Sequence, residues 1–159
     1  MSEQGDVQAD EGATAPMGQP EPGPPEEDVA VWVQFSDEDL DMARLAFGNA
    51  RWRHAVVFCQ QAVEKRLKGL LVHMTGQVPE RTHDLLALAG SSGLALTEDR
   101  QALLLALSRL YVTARYPRGS VEALTVADRG DAERYLMLAE EVIAWVDLRM
   151  PPHGKLSGP

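Results

Sequence analysis

Three polar clusters in this chain combine side chains that could do chemistry on a phosphate. The first is Gln60-Gln61-Ala62-Val63-Glu64-Lys65-Arg66-Leu67-Lys68. In a helix, Gln61, Glu64, Lys65 and Lys68 recur at spacings of three and four and share one face. Glu64 and Lys68 stand in the i, i+4 order that supports a helix by about 0.3–0.5 kcal/mol. Such a face serves either as a salt-bridged solvated surface or as a basic groove. In a groove, Lys65 and Lys68 would contact phosphates and Gln61 would supply directional hydrogen bonds. The second cluster, Thr82-His83-Asp84-Leu85, reads as a helix start. It either caps the helix or turns His83 and the exposed helix N–H groups toward an anion.

The third cluster is Tyr111-Val112-Thr113-Ala114-Arg115-Tyr116-Pro117. Tyr111 and Arg115 are four residues apart and face one side. Arginine suits bidentate phosphate binding, and tyrosine can stack on a base. The alternative is structural: Arg115 bonds the last free carbonyls at the negative end of the helix dipole while Tyr116 packs on a neighbouring helix.

Other chemistries find no support in the sequence. There is no glycine-rich phosphate loop, HExxH or GxSxG. His54, His73, His83 and His153 are scattered, and Cys59 is the only cysteine. No disulfide within the chain, Cys-based metal site or cofactor is therefore expected.

The clusters must be positioned by helices, because strand signals are almost absent. Ser36, followed by Asp37, Glu38 and Asp39, predicts a helix start: a hydroxyl cap with carboxylates near the positive end of the dipole. Gly48-Asn49 interrupts that helix. A second helix is expected from about Arg51 to Met74, with Trp52, Val56, Cys59, Val63, Leu67, Leu70 and Leu71 as its apolar stripe; Gly76 and Pro79 stop it. Thr82 would cap a short third helix from His83 to about Ala89. Thr97 starts a fourth, striped by Leu103, Leu107, Leu110 and Ala114 and closed by Pro117. Asp128 caps a last helix carrying Ala132, Leu136, Ala139, Ile143 and Val146. The expectation is an all-α domain over residues 36–150, an antiparallel up-and-down bundle of four main helices plus one short one. Residues 1–35 would be a disordered acidic Pro/Gly-rich tail, and residues 151–159 a flexible end.

The formal net charge of the 159 residues is -9, which speaks against a generic nucleic-acid coat. The distribution changes that reading. Residues 1–35 hold eight acidic side chains and no Lys or Arg, leaving 16 acidic against 15 basic residues in the remainder. Residues 51–118, which contain every candidate site residue, carry ten basic and five acidic side chains. A phosphate-bearing partner is therefore permitted, and the acidic tail is a candidate screen for the basic cleft. The N-terminus does not read as a secretory signal, and no apolar run approaches the ~20 residues that span a bilayer, so a cytoplasmic, non-membrane protein is expected.

In order and spacing, the three clusters over about residues 36–149 resemble a HEPN domain, a nucleotide-binding module of higher eukaryotes and prokaryotes. The resemblance implies an antiparallel helical bundle that commonly forms homodimers. Small prokaryotic members are often encoded beside a minimal nucleotidyltransferase. Several such pairs act as toxin and antitoxin, the HEPN partner being a metal-independent RNase. In those RNases an arginine near the end of the penultimate long helix is followed four to six residues later by histidine, and the pair promotes attack by the ribose 2′-hydroxyl on the adjacent phosphate. Arg115 matches the arginine, but residues 116–127, YPRGSVEALTVA, hold no histidine. The leading expectation is thus a binding module, a homodimer that takes nucleotide, RNA or a nucleotidyltransferase partner. Its cleft would be formed by Gln61, Glu64, Lys65, Lys68, His83, Asp84, Tyr111, Arg115 and Tyr116. The alternatives are an RNase toxin using Arg115 with a non-standard His83, and a purely structural helical dimer.

Overall fold

The computed structural model describes residues 26–115, 127–150 and 152, with the backbone alone at 26, 27 and 110–115. Residues 1–25 of the expected tail, Tyr116, and all of the 151–159 end except Pro152 lie outside the described residues. Regular structure among the described residues is entirely helical: α1 (Glu26–Gly48), α2 (Trp52–Thr75), α3 (Leu85–Ser91), α4 (Glu98–Arg115) and α5 (Arg129–Asp147). This is the expected arrangement of four long helices and a short one.

The first helix corrects the expectation. It starts at Glu26, ten residues before Ser36. Val29, Trp32, Val33, Ser36, Leu40 and Ala43 form one continuous inward face at helical spacing, with Val29 and Ala43 buried in the core. Ser36 holds a core position in this face. It is fully buried, and its hydroxyl donates to the Ala62 carbonyl at 2.7 Å. A serine followed by three acids imitates a cap, but here the acids serve tertiary ion pairs.

The remaining boundaries follow local chemistry. α2 ends at Gly76, whose φ of 71° is left-handed backbone that glycine adopts without strain. Asp84, rather than Thr82, caps α3: its carboxylate accepts from the N–H groups of Leu86 and Ala87 at 2.9 and 3.1 Å. The Thr82 hydroxyl instead accepts from the Asp84 N–H. Thr97 accepts from the Arg100 N–H at the start of α4. Asp128 and Asp131 cap α5 with a reciprocal box. On α4 the deeply buried seam is Leu104 and Leu107, with Leu103 half-buried beside it.

Pairwise contacts fix the helix directions. Trp32 lies against Gly69 and Ser36 against Ala62 and Arg66, so α1 and α2 are antiparallel. Arg44 reaches Glu140, while Asp37 and Asp147 meet at Arg66, so α1 also opposes α5. The Tyr135 hydroxyl donates to the Ala106 carbonyl at 2.9 Å and Arg100 stacks on Trp145, so α4 opposes α5. The bundle therefore runs up-down-up-down, with α2 at its centre. Val56, Cys59, Val63, Leu67 and Leu70 are fully buried on it. At Gly69 the helices come close enough that an added Cβ would lie 3.2 Å from the Trp32 Cβ.

One charged group sits inside this packing. The Arg66 side chain is 6% exposed, and it binds Ser36 and Asp37 of α1 and Asp147 of α5. Removing it leaves two carboxylates that can turn to water, so Arg66→Ala is expected to lower unfolding stability by about 2–3 kcal/mol, somewhat less than the loss of a fully enclosed pair. Urea denaturation measures this, and a change under about 0.5 kcal/mol would show that the clamp is energetically idle.

Candidate functional site

The candidate site is built on α2, where an i, i+4, i+8 ridge places Gln60, Glu64 and Lys68 in register. Glu64 is the hub. Its carboxylate accepts from the Lys68 ammonium at 2.7 Å and from the Gln60 amide at 3.2 Å, and it bonds His83 Nδ1 at 2.9 Å. The Gln60 amide also donates to the His83 carbonyl at 3.4 Å, so the His83 segment is held by backbone as well as ring. Lys68 Nζ lies 5.6 Å from the centre of the Trp32 ring. The Glu64 and Lys68 side chains are 9% and 10% exposed, whereas His83 is 60% exposed. A buried ion pair thus anchors a surface imidazole.

The electrostatics follow from that geometry. Burial alone would push the Glu64 carboxyl up. Hydrogen bonds from Lys68 and His83, the Lys68 charge and the Gln60 amide outweigh it and hold the group below its ordinary range. Cys59, fully buried on the same helix, shows the opposite case: burial pushes its thiol up to about 12.

The predicted face is split by the structure. Glu64 and Lys68 turn toward Trp32 and His83. Lys65 pairs with Asp39 and lies 5.7 Å from the Phe35 ring centre. Gln61 is only partly buried, and its neighbour Gln60 takes the hydrogen-bonding place foreseen for it. Residues one apart are rotated by about 100°, so 60–64–68 and 61–65 form separate ridges. Both lysines are matched by carboxylates, which alters their expected role as direct phosphate contacts. Asp84 spends its carboxylate on the first N–H groups of α3, so those groups are not presented to an outside anion.

Tyr111 and Arg115 lie in α4, but their side chains, like the whole of Tyr116, fall outside the described residues. Backbone geometry still separates Arg115 from His83. From Arg100 to Arg115 the helix rises about 22 Å. Arg100 stacks on Trp145, close to Asp147, which bonds Arg66; His83 bonds Glu64, two residues before Arg66. Within one chain, His83 stays at the middle of α2 while Arg115 is carried about 20 Å along the bundle from it. Contact with a common phosphate would therefore draw on two chains.

The roles of Gln60, Asp39 and Arg66 were not foreseen. Arg66 did leave a signal, since it falls among Cys59, Val63 and Leu70 at spacings of three and four; a cation at a core position needs buried partners. The Asp39–Lys65 pairing had no local signal. Among the described residues no group of three or more His, Cys, Asp or Glu could hold a metal ion, and no helix is long and apolar enough to cross a membrane.

A carboxyl whose folded pKa lies below its unfolded value stabilises the fold above the unfolded value, and that contribution fades as pH falls through the folded one. Glu64→Gln is therefore expected to be less stable than the parent at neutral pH. The gap should narrow below about pH 4.3, the ordinary glutamate value. Thermal unfolding from about pH 2.5 to about pH 7 reads this directly, and a gap independent of pH would contradict the role of the Glu64 charge.

Comparison with known proteins agrees with this architecture. The HEPN domain family profile matches residues 29–149. The crystal structure of TT1696 from Thermus thermophilus superposes with a TM-score of 0.70 at 28% identity, covering 77% of this chain and 98% of that one. The structure of ST0689, an archaeal HEPN homologue, superposes with a TM-score of 0.58 at 26% identity, covering 76% of this chain and 96% of that one. None of the curated proteins matches it significantly. The match across nearly all of the helical bundle, with two solved structures of the same architecture, makes this chain a member of the HEPN domain family.

Proposed function

We propose that this protein is a nucleotide- or RNA-binding HEPN module that works as a homodimer, with His83 and Arg115 as its anion-facing groups. The observation that carries the reading is the Glu64–His83 pair. Holding a surface imidazole on a buried carboxylate lowers the entropy lost when a ligand is captured. Lys65 and Lys68 contribute by charge and packing around that anchor rather than as direct phosphate ligands. A minimal nucleotidyltransferase partner fits the same reading, since HEPN modules of this size are often paired with one.

A second reading draws on the same pair. An imidazole oriented by a carboxylate is the arrangement that general acid–base catalysis uses. Arg115 from another chain would supply the charge that stabilises a phosphorane-like transition state. This is the RNase-toxin alternative, and it requires the dimer.

Binding to tRNA should weaken as salt rises, because displaced counterions contribute to affinity. His83→Ala should weaken it a further five- to tenfold, about 1–1.4 kcal/mol, the net worth of one ordinary hydrogen bond. Fluorescence anisotropy at two salt concentrations checks both effects, and unchanged affinity in His83→Ala would remove His83 from the site. For the catalytic reading, His83→Ala and Arg115→Ala should each abolish RNA cleavage. An equimolar mixture should regain part of it, since a mixed dimer restores one complete pair. No recovery in a mixture shown to exchange subunits would exclude the two-chain catalytic site.

A further inference from the structure

The first helix, α1, has two apolar faces, and the bundle buries only one of them. The inward face runs through Val29, Ser36, Leu40 and Ala43. On the outer side Val31, Phe35, Met42 and Leu45 are all exposed, Leu45 at 58%. Counted with Glu38, these positions recur at spacings of four, three, four and three. That repeat is the seam of a coiled coil, and it extends about 21 Å along the helix. Single exposed apolar side chains are ordinary, but a contiguous stripe marks a surface that another molecule covers. At its N-terminal end the stripe opens into a groove of about 760 Å³, where Val31 and Phe35 meet Val78 of the α2–α3 connection. Val78 is 91% exposed, so this end is apolar on both walls.

The charges around the stripe select the occupant. The nearby cations are already matched: Lys65 pairs with Asp39, Lys68 with Glu64, and Arg44 with Asp41 and Glu140. Two carboxylates are not. Among the described residues Asp28, at the groove, makes no ion pair, and Glu38, inside the stripe, accepts only the neutral Gln34 amide at 3.1 Å. From Asp28 to Gly48, α1 carries five carboxylates and one arginine. A second copy of this helix would set acid against acid, and like charges across an interface cost affinity. Covering Glu38 with an apolar surface is costly unless a cation comes with it. The molecule that fits therefore brings cations on either side of an apolar seam.

We propose that the outer face of α1 docks an amphipathic helix of a partner protein, one with apolar residues at heptad spacing and Lys or Arg beside them. That helix lies along Val31, Phe35, Met42 and Leu45, reaches Val78 at the groove, and sets its cations against Asp28 and Glu38. Helices bound in this way place apolar anchors at spacings of three and four, and flanking charges fix their orientation. The surface uses neither His83 nor Arg115, so it stands whether or not those residues meet an anion.

The probes are two synthetic peptides of about three heptads with leucine at the a and d positions. One carries lysine at e and g and the other glutamate, and these like charges keep each peptide from pairing with itself. Each is titrated into the full chain at about 0.15 M salt, where long-range attraction is screened. The lysine peptide should bind about tenfold tighter, since each ion pair gained is matched by a repulsion avoided. Its amide NMR footprint should fall on residues 31–45 and Val78. Met42→Gln with Leu45→Gln alters only exposed side chains; it should weaken binding at least about tenfold with the melting temperature unchanged. Glu38→Lys should shift the preference toward the glutamate peptide. Equal affinity for the two peptides, binding of neither, a footprint elsewhere, or full binding by the double variant overturns the proposal. So does a parent dimer that the double variant converts to monomer, because a second copy then holds the stripe.

Discussion

The architecture depends on a guanidinium enclosed among three helices. Arg66 projects from the central helix and reaches Ser36 and Asp37 on α1 and Asp147 on α5. Hydrophobic stripes alone allow helices to slide by a turn at small cost. A buried cation with fixed hydrogen-bond partners does not, because a shifted register leaves it unpaired in a poor dielectric. Gly69 adds a steric condition in the same region, since a Cβ there would press on the Trp32 Cβ at 3.2 Å and ask α1 to give slightly. The register set there also brings Asp39 to Lys65 and Trp32 over Lys68.

The candidate site inherits its precision from this arrangement. Glu64 is two residues from Arg66 on α2, so the clamp that holds the helix also holds the carboxylate. Glu64 in turn fixes Lys68 and the His83 segment. Its charge is tolerable in a buried position only because three donors converge on it. The outcome is one exposed imidazole backed by a rigid interior, while the neighbouring ammonium groups are spent on carboxylates. The net positive charge of residues 51–118 is thus smaller as a surface feature than as a sum.

His83 and Arg115 are set well apart along one bundle, which is why the proposed function joins them across two chains. His83 is held at the middle of α2 by Glu64, while α4 carries Arg115 away toward the end of the bundle where α2 begins. A HEPN fold without the histidine after Arg115 can still assemble a His–Arg pair if the histidine comes from the other chain.

The sequence by itself determined the helical class, the four long elements and most of their ends, because periodicity, left-handed glycine and acidic caps are local physics. Asp128, Thr97 and Gly76 act where their residue types say they should. It also showed where Arg, His and Lys cluster along the chain. It misled at Ser36, where a capping pattern and a buried serine look the same until a neighbouring carbonyl is present to take the hydroxyl. The splitting of the α2 face, the choice of Gln60 over Gln61 and the neutralising of Lys65 by Asp39 were decided only in the tertiary structure. The reason is the same in each case: whether a polar group faces water or a partner depends on residues tens of positions away, and burial makes that partner's identity decisive.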